Sequence, residues 1–87
     1  MNNSLQISVV VPLFNEDESL TELVAWITRV MAENNFSYEI ILVDDGSKDK
    51  SWSVIQGLSK ADDRVKGIKF RRNYGKSAAL NMGFKHA

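Results

Sequence analysis

Apolar residues fall along this chain in two rhythms that alternate. Ile7-Ser8-Val9-Val10-Val11 is a mostly β-branched run closed by Pro12. Tyr38-Glu39-Ile40-Ile41-Leu42-Val43 is a second run, stopping at Asp44-Asp45-Gly46-Ser47. Such continuous runs mark strands buried on both faces of a parallel sheet. Between them, Leu20, Leu23, Val24, Ile27, Val30 and Met31 recur at three- and four-residue spacing, which predicts one apolar stripe on a helix. Asn15, Glu16, Asp17 and Glu18 open that helix with negative charge at its positive end. Ser19-Leu20-Thr21-Glu22 has the form of a capping box, and Asn34-Asn35 closes the helix.

A second helix is expected from about Ser47 or Asp49, with Trp52, Ile55 and Leu58 inward and Gly57 as its weak point. Asp62-Asp63 leads into a third strand near residues 65–70, where Ile68 and Phe70 alternate. Residues 71–75 read as a loop and residues 76–87 as a helix rich in Ala and Leu, with no cap at its end. Trp26 and Trp52 lie on helix faces and read as core residues. The order is βαβαβα, which favours a parallel sheet with right-handed crossovers and helices packed on it. In such sheets ligands sit beyond the carboxyl ends of the strands. Those ends are residues 12–16, 44–47 and 71–76, where the polar, turn-forming and charged residues also gather.

Composition narrows the class. The 87 residues allow one small domain, and 44 % hydrophobic with 25 % charged residues is globular. With no Cys, neither a disulfide framework nor thiol catalysis is open to the chain. The first apolar run is too short for a signal peptide or a membrane span, so a cytosolic location is the default expectation. The 11 basic and 11 acidic residues cancel overall but not locally. Residues 1–45 hold eight acids and one base, a net −7; residues 46–87 hold three acids and ten bases, a net +7. Two solvated faces would account for this, and so would a basic half that receives an anion. No basic stripe interleaved with aromatics supports nucleic-acid binding.

The candidate chemistry lies at the strand ends. An Asp-Gly turn, with Ser47 or Asp49 as a helix cap, would account for one acid of the Asp44-Asp45 pair. Two adjacent carboxylates repel, and they ask for a partner such as a ribose hydroxyl, a base N–H, a cation or an Arg. Pro12-Leu13-Phe14-Asn15-Glu16 by itself reads as a rigid strand exit. Arg71-Arg72-Asn73-Tyr74-Gly75-Lys76 opens a helix whose N–H groups and dipole favour an anion, although a solvated basic loop would look the same. His86 stands alone, and no His or carboxylate cluster has metal-ligand spacing.

Three blocks, taken together, resemble the family 2 glycosyltransferases of the GT-A fold, in particular the dolichyl- or undecaprenyl-phosphate sugar transferase branch. The first is Val9-Val10-Val11-Pro12-Leu13-Phe14-Asn15-Glu16. The second is Tyr38-Glu39-Ile40-Ile41-Leu42-Val43-Asp44-Asp45-Gly46-Ser47-Lys48-Asp49-Lys50-Ser51. The third runs Arg71-Arg72-Asn73-Tyr74-Gly75-Lys76-Ser77-Ala78-Ala79-Leu80-Asn81-Met82-Gly83. All three stand in the family's order and spacing.

The resemblance implies a nucleotide-binding half of a GT-A domain, spanning residues 1–87 as one unit. It implies transfer of a sugar from a UDP- or GDP-sugar to an acceptor, often a polyprenyl phosphate, with the full-length enzyme associated with the cytoplasmic face of the membrane. Pro12, Phe14 and Glu16 would border the nucleoside, Asp45 with Asp44 beside it would bond base or ribose, and Gly75 and Lys76 would lie on the diphosphate side. A divalent cation, Mg or Mn, is expected for the full-length enzyme. The family's metal-binding Asp-x-Asp and its general base lie past the end of this sequence, so the 87 residues alone are expected to bind no metal and carry out no transfer. In the family's sheet order the first strand lies between the second and the metal-site strand. Residues 7–11 would then leave a bare apolar edge and invite self-association.

Three other classes compete. A phosphoacceptor signalling domain needs its acid pair after the first strand, and here the pair follows the second. A dinucleotide-binding oxidoreductase needs Gly-x-Gly-x-x-Gly after the first strand, and none is present. A non-catalytic α/β interaction module remains the alternative, separated from the transferase reading by nucleotide binding.

Overall fold

The computed structural model of the chain describes residues 7–72 and 75–86, apart from the side chains of Lys76, Ala79, Phe84 and His86. Its elements follow in the order β1 (Ile7–Leu13), α1 (Leu20–Glu33), β2 (Tyr38–Asp44), α2 (Ser51–Ala61), β3 (Val65–Lys69) and α3 (Lys76–His86). The strands form one parallel sheet in the order β1-β2-β3, with Ile7 opposite Tyr38 and Ile40 opposite Val65. All seven residues of the central strand are buried, Glu39 and Asp44 together with its apolar residues.

Period-two alternation divides the sheet into two cores. Ile40 and Leu42 point toward α1 and α2, meeting Leu20, Val24, Ile27 and Ile55. Ile41 and Val43 point to the opposite face, with Val10, Ile68 and Phe70 around them. On that face α3 packs so closely that a Cβ at Gly83 would collide with Val10 and come within 3.3 Å of Val43 Cγ2. Helices on both faces complete an α/β/α sandwich.

Four local expectations are corrected. The first strand does not stop at Pro12 but runs on to Leu13. Ile7 N–H donates to Ser37 O (3.2 Å) and Asp45 N–H donates to Leu13 O (2.8 Å), so the odd-numbered residues of β1 turn their backbone groups toward β2. Alternate residues do this in a parallel ladder, and the N–H that Pro12 lacks would have faced the open edge. The second helix begins at Ser51 rather than at Ser47 or Asp49, because those two side chains make tertiary contacts before the helix starts. No capping box forms: Ser19 Oγ donates to Glu16 Oε2 (3.0 Å) and does not cap α1. Trp26 is 56 % exposed, not core. It sits about 100° around the helix from Ile27 and about 200° from Val24. Trp52, by contrast, packs against the core, with Lys69 Nζ 5.7 Å from its ring centroid.

Asn34-Asn35 ends α1 as expected. Asn35 adopts φ 56°, with Asn35 N–H donating to Ala32 O (3.2 Å) and Phe36 N–H to Met31 O (3.1 Å). These are the paired bonds of a Schellman motif, with Asn in the left-handed position.

A polar row crosses the sheet near the amino ends of its strands. Glu39, only 3 % exposed, accepts from Ser8 Oγ (2.6 Å) on β1 and from Lys66 Nζ (2.9 Å) on β3. The Ser8 bond and then the Lys66 ammonium hold its carboxyl below the ordinary glutamate range, against the opposing effect of burial.

Candidate nucleotide-binding site

The carboxyl ends of β1 and β2 frame a cavity of about 320 Å³ lined by Pro12, Leu13, Phe14, Glu16 and Asp45. Four of these five are residues that the sequence singles out; Leu13 is added. Pro12 and Leu13 end β1, and Phe14 (41 % exposed) with Glu16 belongs to the turn that follows it. Asp45 follows β2 directly and is 4 % exposed. The polar wall is acidic, formed by two carboxylates.

Asp45 also ties the third strand end to the other two. Its Oδ2 accepts from Gly75 N–H (2.9 Å), one residue before α3. Gly75 adopts φ 94°, with open space where a Cβ would stand, so backbone conformation alone calls for glycine there. The carboxylate of Asp45 is thus an anion already seated at the N-terminus of α3, where the helix dipole favours one. Lys76 opens α3, while its side chain, and Asn73 and Tyr74, lie outside the described residues. Arg71 and Arg72 are exposed in the segment between β3 and Gly75.

Asp44 is not brought to the cavity. It is fully buried, in register with Leu13 and, by strand alternation, on the face of Ile40 and Leu42. Its Oδ1 accepts from Ser47 N–H (2.7 Å), and its buried Oδ2 has no hydrogen-bond partner among the described residues. Asp44 is the last residue of β2 and Asp45 the first beyond it, so the two acids face different surroundings, one the core and the other the cleft. One acid reaches the cleft and the other shapes the Gly46 turn, where φ is 79°.

Sequence reasoning missed how the turn after β1 is held. Asn15, at φ 53°, donates its N–H to Ser47 Oγ (2.7 Å) and accepts from Lys48 N–H at its Oδ1 (2.9 Å). Glu16 N–H donates to Ser51 Oγ (3.0 Å), and Asp17 N–H to Asp49 Oδ2 (3.3 Å). Lys50 N–H donates in return to Asp17 Oδ2 (3.4 Å). Some burial pushes the Asp49 carboxyl up, but bonds from the Ser51 hydroxyl and N–H and from Asp17 outweigh it and hold the group below the ordinary aspartate range. The only sequence signal for this clamp is the residue type: Asn tolerates the left-handed region, and Ser and Asp accept backbone hydrogen bonds.

Among the described residues, no three His, Cys, Asp or Glu side chains group to hold a metal ion. Glu16 and Asp45 alone do not make a fitting donor set for a resident divalent cation.

Fold and cleft together define an α/β fold with a cavity beyond the carboxyl ends of its parallel strands. The family model for glycosyl transferase family 2 matches residues 8–87, and the chain belongs to that family. It is 38 % identical over its whole length to the uncharacterized glycosyltransferase YkcC of Bacillus subtilis, covering 27 % of that protein. Over 82 residues it is 40 % identical to the undecaprenyl-phosphate 4-deoxy-4-formamido-L-arabinose transferase of Salmonella choleraesuis, covering 93 % of this chain and 25 % of the relative. The chain thus spans about a quarter of the length of these relatives.

Among solved structures, it superposes with a TM-score of 0.79 on the mannosyltransferase PcManGT from Pyrobaculum calidifontis, solved in complex with GDP-Man and Mn2+. The sequences are 23 % identical there, and the match covers 99 % of this chain and 25 % of the other. The expected α/β fold of GT-A type is borne out. No helix among the described residues is long and apolar enough to cross a membrane.

Proposed function

We propose that residues 1–87 form the nucleotide-binding part of a glycosyltransferase domain that takes a nucleotide-diphosphate sugar as donor. Pro12 and Phe14 flank the nucleoside as apolar walls, while Glu16 and Asp45 accept hydrogen bonds from base N–H or ribose hydroxyl groups. Gly75 and Lys76 lie toward the diphosphate, where the basic half of the chain offsets its charge. Asp44 serves this site from behind, fixing the turn that carries Asp45. The observation that carries the reading is the acidic cavity of about 320 Å³ at the ends of β1 and β2, with Asp45 oriented by Gly75 N–H.

The donor is a UDP- or GDP-sugar; GDP-Man in the structural neighbour supports the second. A polyprenyl phosphate is the proposed acceptor, supported by the relatives named as undecaprenyl-phosphate transferases. The whole enzyme uses a divalent cation, Mg or Mn, as the Mn2+ in the neighbour suggests, and draws its metal ligands and general base from outside these residues. The 87-residue chain therefore binds donor without transferring sugar. The whole enzyme acts at the cytoplasmic face of the membrane, where polyprenyl phosphate is reached. The open edge of β1 also makes the chain self-associate.

A ¹⁵N NMR titration with UDP and GDP, without metal, tests the site. Shifts are expected at Glu16, Asp45, Gly46 and Gly75, and the better ligand names the base. Asp45→Asn keeps an acceptor for Gly75 N–H but removes the charge, so affinity should fall about tenfold or more, as charged hydrogen bonds contribute about 1.5–3 kcal/mol each. A dispersed spectrum that neither nucleotide perturbs would overturn the reading in favour of an interaction module.

A further inference from the structure

Three features lie outside the cavity wall: the Trp52 groove beside β3, the Glu39 row and the clamp between the first two strand–helix turns. Only the clamp bears on the site. Its five hydrogen bonds join residues 32 to 35 apart in sequence, and all five lie between the β1–α1 turn and the β2–α2 turn. Asn15 is at its centre, as the residue that both donates to Ser47 and accepts from Lys48. Its neighbours on either side, Phe14 and Glu16, line the cavity; Asn15 does not.

From this juxtaposition we infer that Asn15 is a positioning residue for the nucleotide site: by gripping the Ser47-Lys48 backbone it turns Phe14 and Glu16 into the cavity and fixes them relative to Asp45. This rests on the proposed nucleotide site and extends it to a residue that touches no ligand. The left-handed backbone at Asn15 supplies the mechanism. With φ at 53°, the chain reverses so that the Asn15 amide faces the second turn while the side chains before and after it face the cleft. Two backbone N–H groups, of Asn15 and Lys48, depend on this one residue and on Ser47 Oγ. Glu16 N–H, held by Ser51 Oγ, takes the same direction.

Substitution separates the side-chain bond from the backbone conformation. Asn15→Gly keeps the left-handed region accessible but loses the acceptor for Lys48 N–H. Asn15→Asp keeps both. Asn15→Ala loses the acceptor and disfavours the conformation. Nucleotide titration and amide hydrogen exchange are read on all four chains.

Relative to the parent, Asn15→Gly should weaken nucleotide binding about tenfold, and Asn15→Ala further, while Asn15→Asp stays within about twofold. Lys48 N–H should lose its exchange protection in Asn15→Gly and keep it in Asn15→Asp, with β2 amides protected throughout as proof of fold. A parent that binds nucleotide while Asn15→Gly binds equally well overturns this inference alone. A parent that binds neither nucleotide overturns the functional reading and this inference with it. Loss of β2 protection in Asn15→Gly would make Asn15 a folding residue and overturn its assignment to the site.

Discussion

Glu39 shows how a charged side chain survives inside a three-stranded sheet. Its two carboxylate oxygens each have a donor, one from either neighbouring strand, so burial leaves no acceptor empty. Because these donors depress its folded pKa, the stabilisation is fully present above the unfolded value and is lost as pH falls through the folded one. The sign gives a prediction. Glu39→Gln should lower unfolding stability by about 1–3 kcal/mol at pH 7, since hydrogen bonds to a charged group are worth about that much. Urea midpoints of the two proteins should converge as pH drops below the ordinary glutamate value of 4.5. A gap that stays constant from pH 7 to pH 3 would contradict the assignment. Asp44 is the opposite case, with one oxygen bonded and the other buried without a partner among the described residues. The same residue type thus plays two parts, set by what each oxygen meets.

The elements differ in how openly the sequence declares them. β2 is legible because both its faces are apolar, and α1 because its buried Leu20, Val24 and Ile27 keep helical spacing. Legible too were the strand ends as the place where Pro12, Phe14, Glu16 and Asp45 meet. Three things are not, and the first two are decided by contacts distant in sequence. The start of α2 depends on Ser47 and Asp49 being engaged by Asn15 and Asp17. Passage of β1 through Pro12 depends on which side β2 lies. The division of labour between Asp44 and Asp45 depends on where the pleat places the last strand residue.

The two edge strands contrast. β3 carries Lys66 and Lys69, charges of the kind that blunt a sheet edge. β1 carries no charge, and among the described residues no strand pairs with its outer side. Only Ser8 and Val10 turn both backbone groups outward, since Pro12 has no N–H to offer. Sedimentation should therefore show a concentration-dependent dimer of the chain. Ser8→Pro and Ser8→Ala both lose the hydroxyl that Glu39 accepts from, but only Ser8→Pro also removes an outward N–H, so it should shift the equilibrium toward monomer relative to Ser8→Ala. A sharp monomer at high concentration in the parent would contradict pairing through this edge.

At the scale of the whole molecule, charge and topology act together. The acidic half supplies β1, α1 and β2, and with them Glu16 and Asp45. The basic half supplies β3 and α3 and arrives at the same end of the sheet with Arg71, Arg72 and Lys76. The proposed nucleoside diphosphate would match that division, with hydrogen-bond donors at one end and phosphate charge at the other. Membership of glycosyl transferase family 2 is consistent with that proposal.

One measurement bears on the central claim most directly: transferred and intermolecular NOEs between UDP or GDP and the isotope-labelled chain. Contacts are expected from base or ribose protons to the Phe14 ring and to Pro12. Contacts instead to Trp52 and Ile55, which line the separate cavity of about 270 Å³ against β3, would contradict it.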